Sequence, residues 1–531
     1  MVYDGNMQTR NELRKIVEKA LKKQKISLSE FQILRPKGEK HGDYSLNIAL
    51  EVGKKEKKDP LAIAGKLKSE LEKQGKKIIK KVEVLPPGFI NIFLKDEYLK
   101  SVLEEIIKEG KKFGSLEIGK GKSIQVEFLS ANPTGPLTIG NARGGPFGDT
   151  LANVLKKAGY LVEKAYYIND YGNQINVLGH SVLKDDQAKY RGEYIDFLHE
   201  RIGKESDAYK IGKWAAYIIL KEMIKSTVEK LNIHYDEWFS ETWLYDNKRV
   251  EKVLSFLEKK GFTYEKDGAV WLKAVQFGDI RDRVLVKKDG NATYLAGDIA
   301  YHEYKFKDKK FDKAINVWGA DHAGDVKGLE SGIEALGYKD RLQIVLLQFV
   351  TLYQKGEKTR MSKREGVYVT MDDLLNDIPT DVVRFFFLQK SFNTHLNFDL
   401  ELALDESEKN PVYYVQYAYA RICSVLRNAD AGSIKKSKYG KYLKEEAEIN
   451  LLKEFFKFEE NIEDVALDFG VHKLTQYAID LASAFHKFYS ECKIIGEDKK
   501  LTGARLELCM ATKIVLKNIL DILGVSAPEK M

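Results

Sequence analysis

Hydrophobic and polar positions fall into three regimes along this 531-residue chain. Up to about residue 115, helical and strand-like patterns are mixed. Apolar positions recur with a 3.6-residue period near Gln8–Lys23, from about Pro60 to Lys73 and over Glu97–Lys108, which predicts three helices. Between the last two, Lys81–Leu85 and Phe89–Leu94 flank Pro86-Pro87-Gly88 and predict two strands joined by a turn, with Phe89, Asn91 and Phe93 on one face. From residue 123 strands and helices alternate. Ile124, Val126 and Phe128 are apolar around polar Gln125 and Glu127, a helix of about Ala142–Ala158 follows, and then a strand, Val162–Ile168. Much later come the apolar strand Lys313–Trp318, a helix to about Leu336 and the strand Leu342–Phe349. The roughly 110 residues between Asn173 and Arg283 interrupt this alternation and read as a large insertion. From about Ser407 the 3.6-residue period takes over, as in Leu451–Phe458, Leu474–Phe488 and Leu501–Leu523, which predicts a helical bundle.

Strands alternating with helices argue for an α/β domain with a doubly wound parallel sheet of Rossmann-like type. The expected organisation is an N-terminal α+β module over 1–118, the α/β domain over 119–406 with its insertion near 173–283, and an all-α bundle over 407–531.

Composition narrows the setting. The sequence has no apolar run near the roughly 18 residues of a membrane helix, and the charged amphipathic N-terminus lacks an apolar signal core. Three cysteines, Cys423, Cys492 and Cys509, without C-x-x-C spacing fit a reduced cytoplasm and supply no cysteine zinc site. The net charge of +8 is unevenly spread: residues 1–120 hold 27 basic and 18 acidic residues, a balance of +9, leaving −1 on the remainder. A basic module on a near-neutral body suits nucleic acid as well as it suits a solvated lysine-rich surface.

Candidate chemistry centres on Val126–Gly148, reading VEFLSANPTGPLTIGNARGGPFG. A strand that breaks at Asn132-Pro133, turns through Gly135-Pro136 and enters a helix near Asn141 places backbone N–H groups and a helix N-terminus at the sheet's carboxyl edge, where phosphates bind. A second stretch, Met361-Ser362-Lys363-Arg364-Glu365-Gly366, lies in a loop dense in Lys, Arg and Gly, so Lys363 is placed to meet charge that develops as pyrophosphate leaves. Lys120-Gly121-Lys122-Ser123 is not a Walker loop: Leu116 stands where the first glycine is required, and the segment precedes a strand instead of following one.

The two stretches resemble the HIGH and KMSKS signatures of class I aminoacyl-tRNA synthetases, and within that class the chain resembles the arginyl-tRNA synthetase family over nearly its whole length. Ser130–Leu137 leads into the HIGH position in that family's manner, and Gly42-Asp43-Tyr44 with Pro87–Asn91 resemble its N-terminal tRNA-binding module. Tyr413–Ala418 with Arg421-Ile422, and the closing Leu523–Met531, resemble its anticodon-binding helices. The sequence departs from the signature where His-x-Gly-His becomes Thr138-Ile139-Gly140-Asn141, and Arg360 replaces the first lysine of the second motif. The Thr138 hydroxyl and Asn141 amide still donate, without a charge assistance of ~1–2 kcal/mol per bond.

The resemblance implies an arginine–tRNA ligase that uses ATP, with Mg²⁺ arriving on the nucleotide, no protein-bound zinc or other metal, tRNA as partner and a cytoplasmic monomer as the working form. It implies Thr138, Gly140, Asn141, Gly319, Asp321, His322, Met361 and Lys363 at ATP, of which Lys363, Thr138 and Asn141 serve catalysis. Glu127, Ser130, Asn132, Tyr294 and Asp298 are implied at arginine, and Phe89, Asn91, Tyr414 and Tyr417 at tRNA. Physical chemistry runs beside this: a guanidinium calls for planar carboxylates, and a carboxylate such as Glu127 in a strand covered on both faces is costly without a cation. Asp298 could instead cap a helix beginning at Ile299, and Asp321, His322 and Asp325 lack a recognised metal spacing. A cysteinyl enzyme of the same class would need zinc-ligating cysteines, yet no cysteine precedes residue 423. A non-catalytic RNA-binding relative would have no need of Lys363 or the pocket carboxylates.

Overall fold

The computed structural model describes residues 9–28, 30–36, 39–358, 370–429 and 440–531. The expected helices of the N-terminal module are Thr9–Lys23, Pro60–Gln74 and Asp96–Glu109, packed on an antiparallel sheet in the order Tyr44–Leu46, Phe89–Leu94, Ile79–Leu85. A further helix, Ile48–Glu56, escaped the pattern. It is short, carries Gly53 and runs into a lysine-rich end, yet Ile48, Ala49 and Val52 bury its one apolar face.

At the centre stands a five-stranded sheet in the order Leu342–Leu347, Lys313–Gly319, Ser123–Glu127, Leu161–Ile168, Glu237–Ser240, with every pair parallel. The expected α/β fold is present, and strand order reverses between Ser123–Glu127 and Lys313–Gly319. Ligands of such sheets bind in the crevice at that switch point, beyond the strands' carboxyl ends. Two sequence readings need correction. The stretch 173–283 is not wholly an interruption, because its strand Glu237–Ser240 is the sheet's fifth member. Four residues rich in aromatic and polar side chains (EWFS) are too few to announce a strand by alternation. The strand expected to reach Phe349 ends at Leu347. The chain then opens a second small sheet with Val350–Gln354, flanked by Glu357–Lys358 and Leu396–Asp399.

The helix Gly144–Lys157 packs tightly on the central strand. A Cβ at Gly148 would lie 2.1 Å from the Phe128 ring, so only glycine permits this approach. The C-terminal region is the expected bundle: Pro411–Asn428, Glu446–Asp468, His472–Glu491 and Lys499–Leu523. Two buried polar joints hold it to the rest. Glu460 receives the Tyr44 hydroxyl at 2.6 Å and Arg35 at 2.5 Å. Arg384 donates to Leu523 O at 2.9 Å, Leu231 O at 2.7 Å and Asp149 at 2.6 Å, while Lys164 reaches the other oxygen of Asp149 at 2.5 Å.

Candidate active site

The switch-point crevice begins where Ser123–Glu127 ends. Leu129 (φ +69°) and Ser130 (φ +36°) are consecutive residues in the left-handed region, a conformation costing roughly 1–2 kcal/mol for each residue with a Cβ. Three tyrosine hydroxyls pin the turn that follows: Tyr235 to Phe128 O at 3.0 Å, Tyr166 to Ala131 O at 2.8 Å and Tyr194 to Thr134 O at 3.0 Å. Ser130 Oγ accepts from the Tyr167 backbone N–H at 3.1 Å, and Asn132, exposed, accepts from Asn169 Nδ2 at 3.2 Å. The turn is therefore held rigid despite its strain.

Beyond the turn lies a short helix, Ile139–Ala142, capped by Thr138, whose Oγ1 accepts from Asn141 N at 3.4 Å and donates to the Asn141 side-chain oxygen. Thr138, Gly140 and Asn141 are all exposed. On the neighbouring strand, Gly319 leads into Asp321 and His322, also exposed, with the His322 ring 6.0 Å from that of Trp318. His322 lies 3.6 Å from Asp321 and 3.7 Å from Asp325. Among the described residues no group of three or more His, Cys, Asp or Glu side chains is arranged to hold a metal ion. Met361 and Lys363 lie outside the described residues.

The helix Tyr294–Lys307 closes the other side. Its N-cap is Thr293, so Asp298 is released from the capping role open to it in the sequence. Tyr294, Asp298, Tyr301 and Lys305 follow one another at spacings of four, three and four, which aligns them along one face. Exposure falls along that stripe, from 57% at Tyr294 to 1% at Tyr301 and 0% at Lys305. Asp298 has no hydrogen bond or ion pair to its carboxylate among the described residues, and burial and the charge of Glu127 push its pKa up to about 7. Glu241, just past Glu237–Ser240, is pushed up to about 8 by burial and then by Asp298 and Asp170. Its Oε1 would sit 3.2 Å from a Cβ at Gly297, so it faces the same helix one residue from Asp298. Tyr245 stacks on Tyr171 at 3.7 Å beside it, and burial followed by Glu241 also raises the Tyr294 hydroxyl. The arrangement is two acidic groups short of cations in a wall of tyrosines, suited to a planar cation.

Glu127 differs from expectation in one respect. The cation its burial demands is Lys305, whose Nζ is 2.6 Å away. The sequence reading missed both Lys305 and Glu241. A lysine in a helix otherwise ending YKFKDKK reads as solvated, and Glu241 follows a strand too short to recognise.

The residues expected at tRNA lie elsewhere. Phe89 is 40% exposed, whereas Asn91 is 2% exposed and accepts from Ser45 Oγ at 2.8 Å. On the bundle, Tyr417 is exposed, stacks near His486 and lies under Arg421, 4.4 Å from its ring centroid. Tyr414 is half-buried against His486 at 4.7 Å.

Family models match three parts of the chain: the arginyl tRNA synthetase N terminal domain over 11–94, the tRNA synthetases class I (R) catalytic domain over 198–384, and the DALR anticodon binding domain over 415–531. An arginine–tRNA ligase of Bacillus subtilis is 42% identical over 549 aligned positions covering 98% of both chains. One from Carboxydothermus hydrogenoformans is 42% identical over 94% of both. The arginyl-tRNA synthetase of Thermus thermophilus superposes with a TM-score of 0.78 at 21% identity, covering 98% of this chain and 100% of that one, a likeness of fold. Identity sustained from end to end, over a doubly wound sheet flanked by these two modules, means that this chain belongs to the arginyl-tRNA synthetase family.

Proposed function

We propose that this chain activates L-arginine with ATP and transfers it to tRNA. The arginine carboxylate attacks the α-phosphorus, the bond to the β-phosphate breaks, and pyrophosphate leaves arginyl-adenylate. A ribose hydroxyl of the tRNA's terminal adenosine then attacks the carbonyl and AMP leaves. No enzyme nucleophile is required, so catalysis consists of positioning and electrostatic stabilisation. Activation depends on bound tRNA, and the chain works as a cytoplasmic monomer.

The observation that carries this reading is the cation-short pair Asp298 and Glu241, set among tyrosines at the sheet's switch point. A guanidinium relieves both carboxylates at once. A site so built rejects lysine by roughly 10⁴, since the shorter ammonium leaves buried acceptors unpaired. Glu127, Ser130, Asn132 and Tyr294 complete the arginine site in this reading. Thr138, Gly140, Asn141, Gly319, Asp321, His322, Met361 and Lys363 take ATP, whose phosphates carry Mg²⁺, and Lys363 meets the departing pyrophosphate. Phe89, supported by Asn91, and Tyr417 with Tyr414 meet the tRNA from the 1–118 module and the 407–531 bundle, on either side of the 119–406 catalytic domain. The exposed rings of Phe89 and Tyr417 support that part.

Arginine-dependent pyrophosphate exchange with tRNA present tests the reading. Exchange should follow arginine and no other amino acid; silence with arginine and activity with another would reject it.

A further inference from the structure

Four buried polar groups form a chain beneath the arginine site. Glu127 and Asn316 are direct partners on adjacent parallel strands, so both side chains leave the same face of the sheet. Lys305 descends between them from the helix above, with Nζ 2.6 Å from Glu127 Oε2 and 3.3 Å from Asn316 Oδ1. Its ammonium also lies 4.2 Å from the centroid of the Tyr301 ring. Asn316 Nδ2 is 3.0 Å from His302 Nε2, and His302 Nδ1 is 2.7 Å from the backbone oxygen of Asp298. The chain thus runs from one carboxylate assigned to arginine to the backbone of another.

The packing leaves the lysine little freedom. Lys305 is fully buried, Asn316 and His302 are each 1% exposed, and the ammonium has acceptors at Glu127 and Asn316 and a π face at Tyr301. A fully buried lysine so satisfied is fixed in place, and it fixes its acceptor. Only Oε2 of Glu127 is spent on it. Oε1 has no hydrogen bond among the described residues.

We propose that Lys305 is a positioning residue for arginine recognition: it pins Glu127 Oε2 so that Oε1 is presented at a set angle to the incoming guanidinium. This rests on the reading that Glu127 belongs to the arginine site. Because Lys305 is already paired with Glu127, the task of neutralising the substrate falls to Asp298 and Glu241.

Steady-state aminoacylation with Lys305→Met, Glu127→Gln and the double variant tests it. Lys305→Met should raise the arginine KM roughly ten- to hundredfold, as misplacement of a binding group does, with the ATP KM within about twofold. Its kcat at saturating arginine should change far less than its arginine KM, a split that loss of fold alone would not produce. The double variant removes both charges of the buried pair and should recover much of the thermal stability lost in Lys305→Met while keeping the high arginine KM. An arginine KM unchanged in Lys305→Met but raised in Glu127→Gln would overturn the role of Lys305 alone. An unchanged KM in Glu127→Gln would remove Glu127 from the site, and the proposal with it. Arginine and ATP KM rising together in Lys305→Met, and both returning to normal in the double variant, would mean that the pair serves only the fold.

Discussion

The hydroxyl of Thr138 donates to the side-chain oxygen of Asn141, so the two residues that replace the signature histidines are bonded to each other across one turn of helix. The bond occupies the Asn141 oxygen and leaves its amide N–H₂ as a neutral donor on an exposed residue, while Thr138 also caps the helix. A nucleotide bound as proposed would meet donors in the signature positions without a positive charge. Thr138→His with Asn141→His should preserve or raise the rate of arginine activation. Charge assistance of about 1–2 kcal/mol per bond corresponds to a gain of roughly fivefold to thirtyfold if one of the two bonds is strengthened in the transition state. Pyrophosphate exchange at subsaturating ATP is the measurement. Collapse of activity in a folded double variant would mean that this turn binds ATP in another way.

The carboxylates of the proposed arginine site predict a pH dependence whose sign can be worked out. Asp298 and Glu241 are raised from ordinary values of 3.8 and 4.5 to about 7 and about 8. Folding therefore takes up protons at these groups. The stability they contribute to the free protein is fully present below the ordinary carboxylate range and is lost as pH rises through about 7 and about 8. Arginine's guanidinium stays charged throughout and favours the ionised pair, so its affinity should climb with pH, by roughly tenfold per unit for each proton released. Thermal melts with and without arginine, compared at about pH 6 and about pH 9, should show the larger arginine-induced rise at the alkaline end. Equal rises at both ends would contradict the pairing of these groups with the guanidinium.

Part of the setting of the proposed site is written in local sequence. The strand end at Glu127 and the turn at Asn132 can be read there, whereas Asp298 rests on the family resemblance, and its local sequence offered a helix cap that the structure gives to Thr293. What stayed hidden was set by long-range pairing. Glu241 is defined by the parallel partnership of Glu237–Ser240 with Ala165–Ile168, some seventy residues away, and strands this short carry no usable alternation. Lys305 is one of four lysines in six residues, and only the register of Glu127 against Asn316 shows that it points inward. The small sheet of Val350–Gln354 was hidden because its strands are short: Glu357–Lys358 is a two-residue hairpin partner, and Leu396–Asp399 pairs from some forty residues away.

Arg384, anchored by Asp149, joins the bundle to the α/β domain through Leu523 O, and the stability of that joint is open to direct measurement. Asp149 accepts from Arg384 at 2.6 Å and Lys164 at 2.5 Å, all three side chains being nearly or fully buried. These two cations hold its carboxyl below the ordinary range against the opposing effect of burial. Asp149→Asn leaves two buried cations without an anion and should cost about 3–5 kcal/mol. Urea unfolding should show the midpoint falling, and pairing the change with Arg384→Met should recover part of the loss. A cost below about 1 kcal/mol would show that the backbone carbonyls of Leu231, Asn232 and Leu523 suffice to hold Arg384.

Phe89 and Asn91 occupy the same strand two residues apart, yet their surroundings differ, and so do the parts proposed for them in holding tRNA. The Phe89 ring is open to solvent on the basic N-terminal module, where an unstacked base has a flat surface to cover. Asn91, two residues further along the same strand, is buried, its side-chain oxygen already occupied by Ser45. Stacking of one base on an aromatic ring contributes about 1–3 kcal/mol, so Phe89→Ala should raise the tRNA KM by roughly fivefold to a hundredfold. The arginine and ATP KM should stay where they are, since the sites proposed for both ligands lie in the 119–406 domain. Phe89→Trp keeps a stacking face and should restore tRNA binding, whereas Phe89→Leu keeps bulk without a π face and should not. Charging assays across tRNA concentrations separate the cases: equal tRNA KM for Leu and Trp would reduce Phe89 to an apolar contact, and an unchanged KM in Phe89→Ala would place the tRNA on another face of the module.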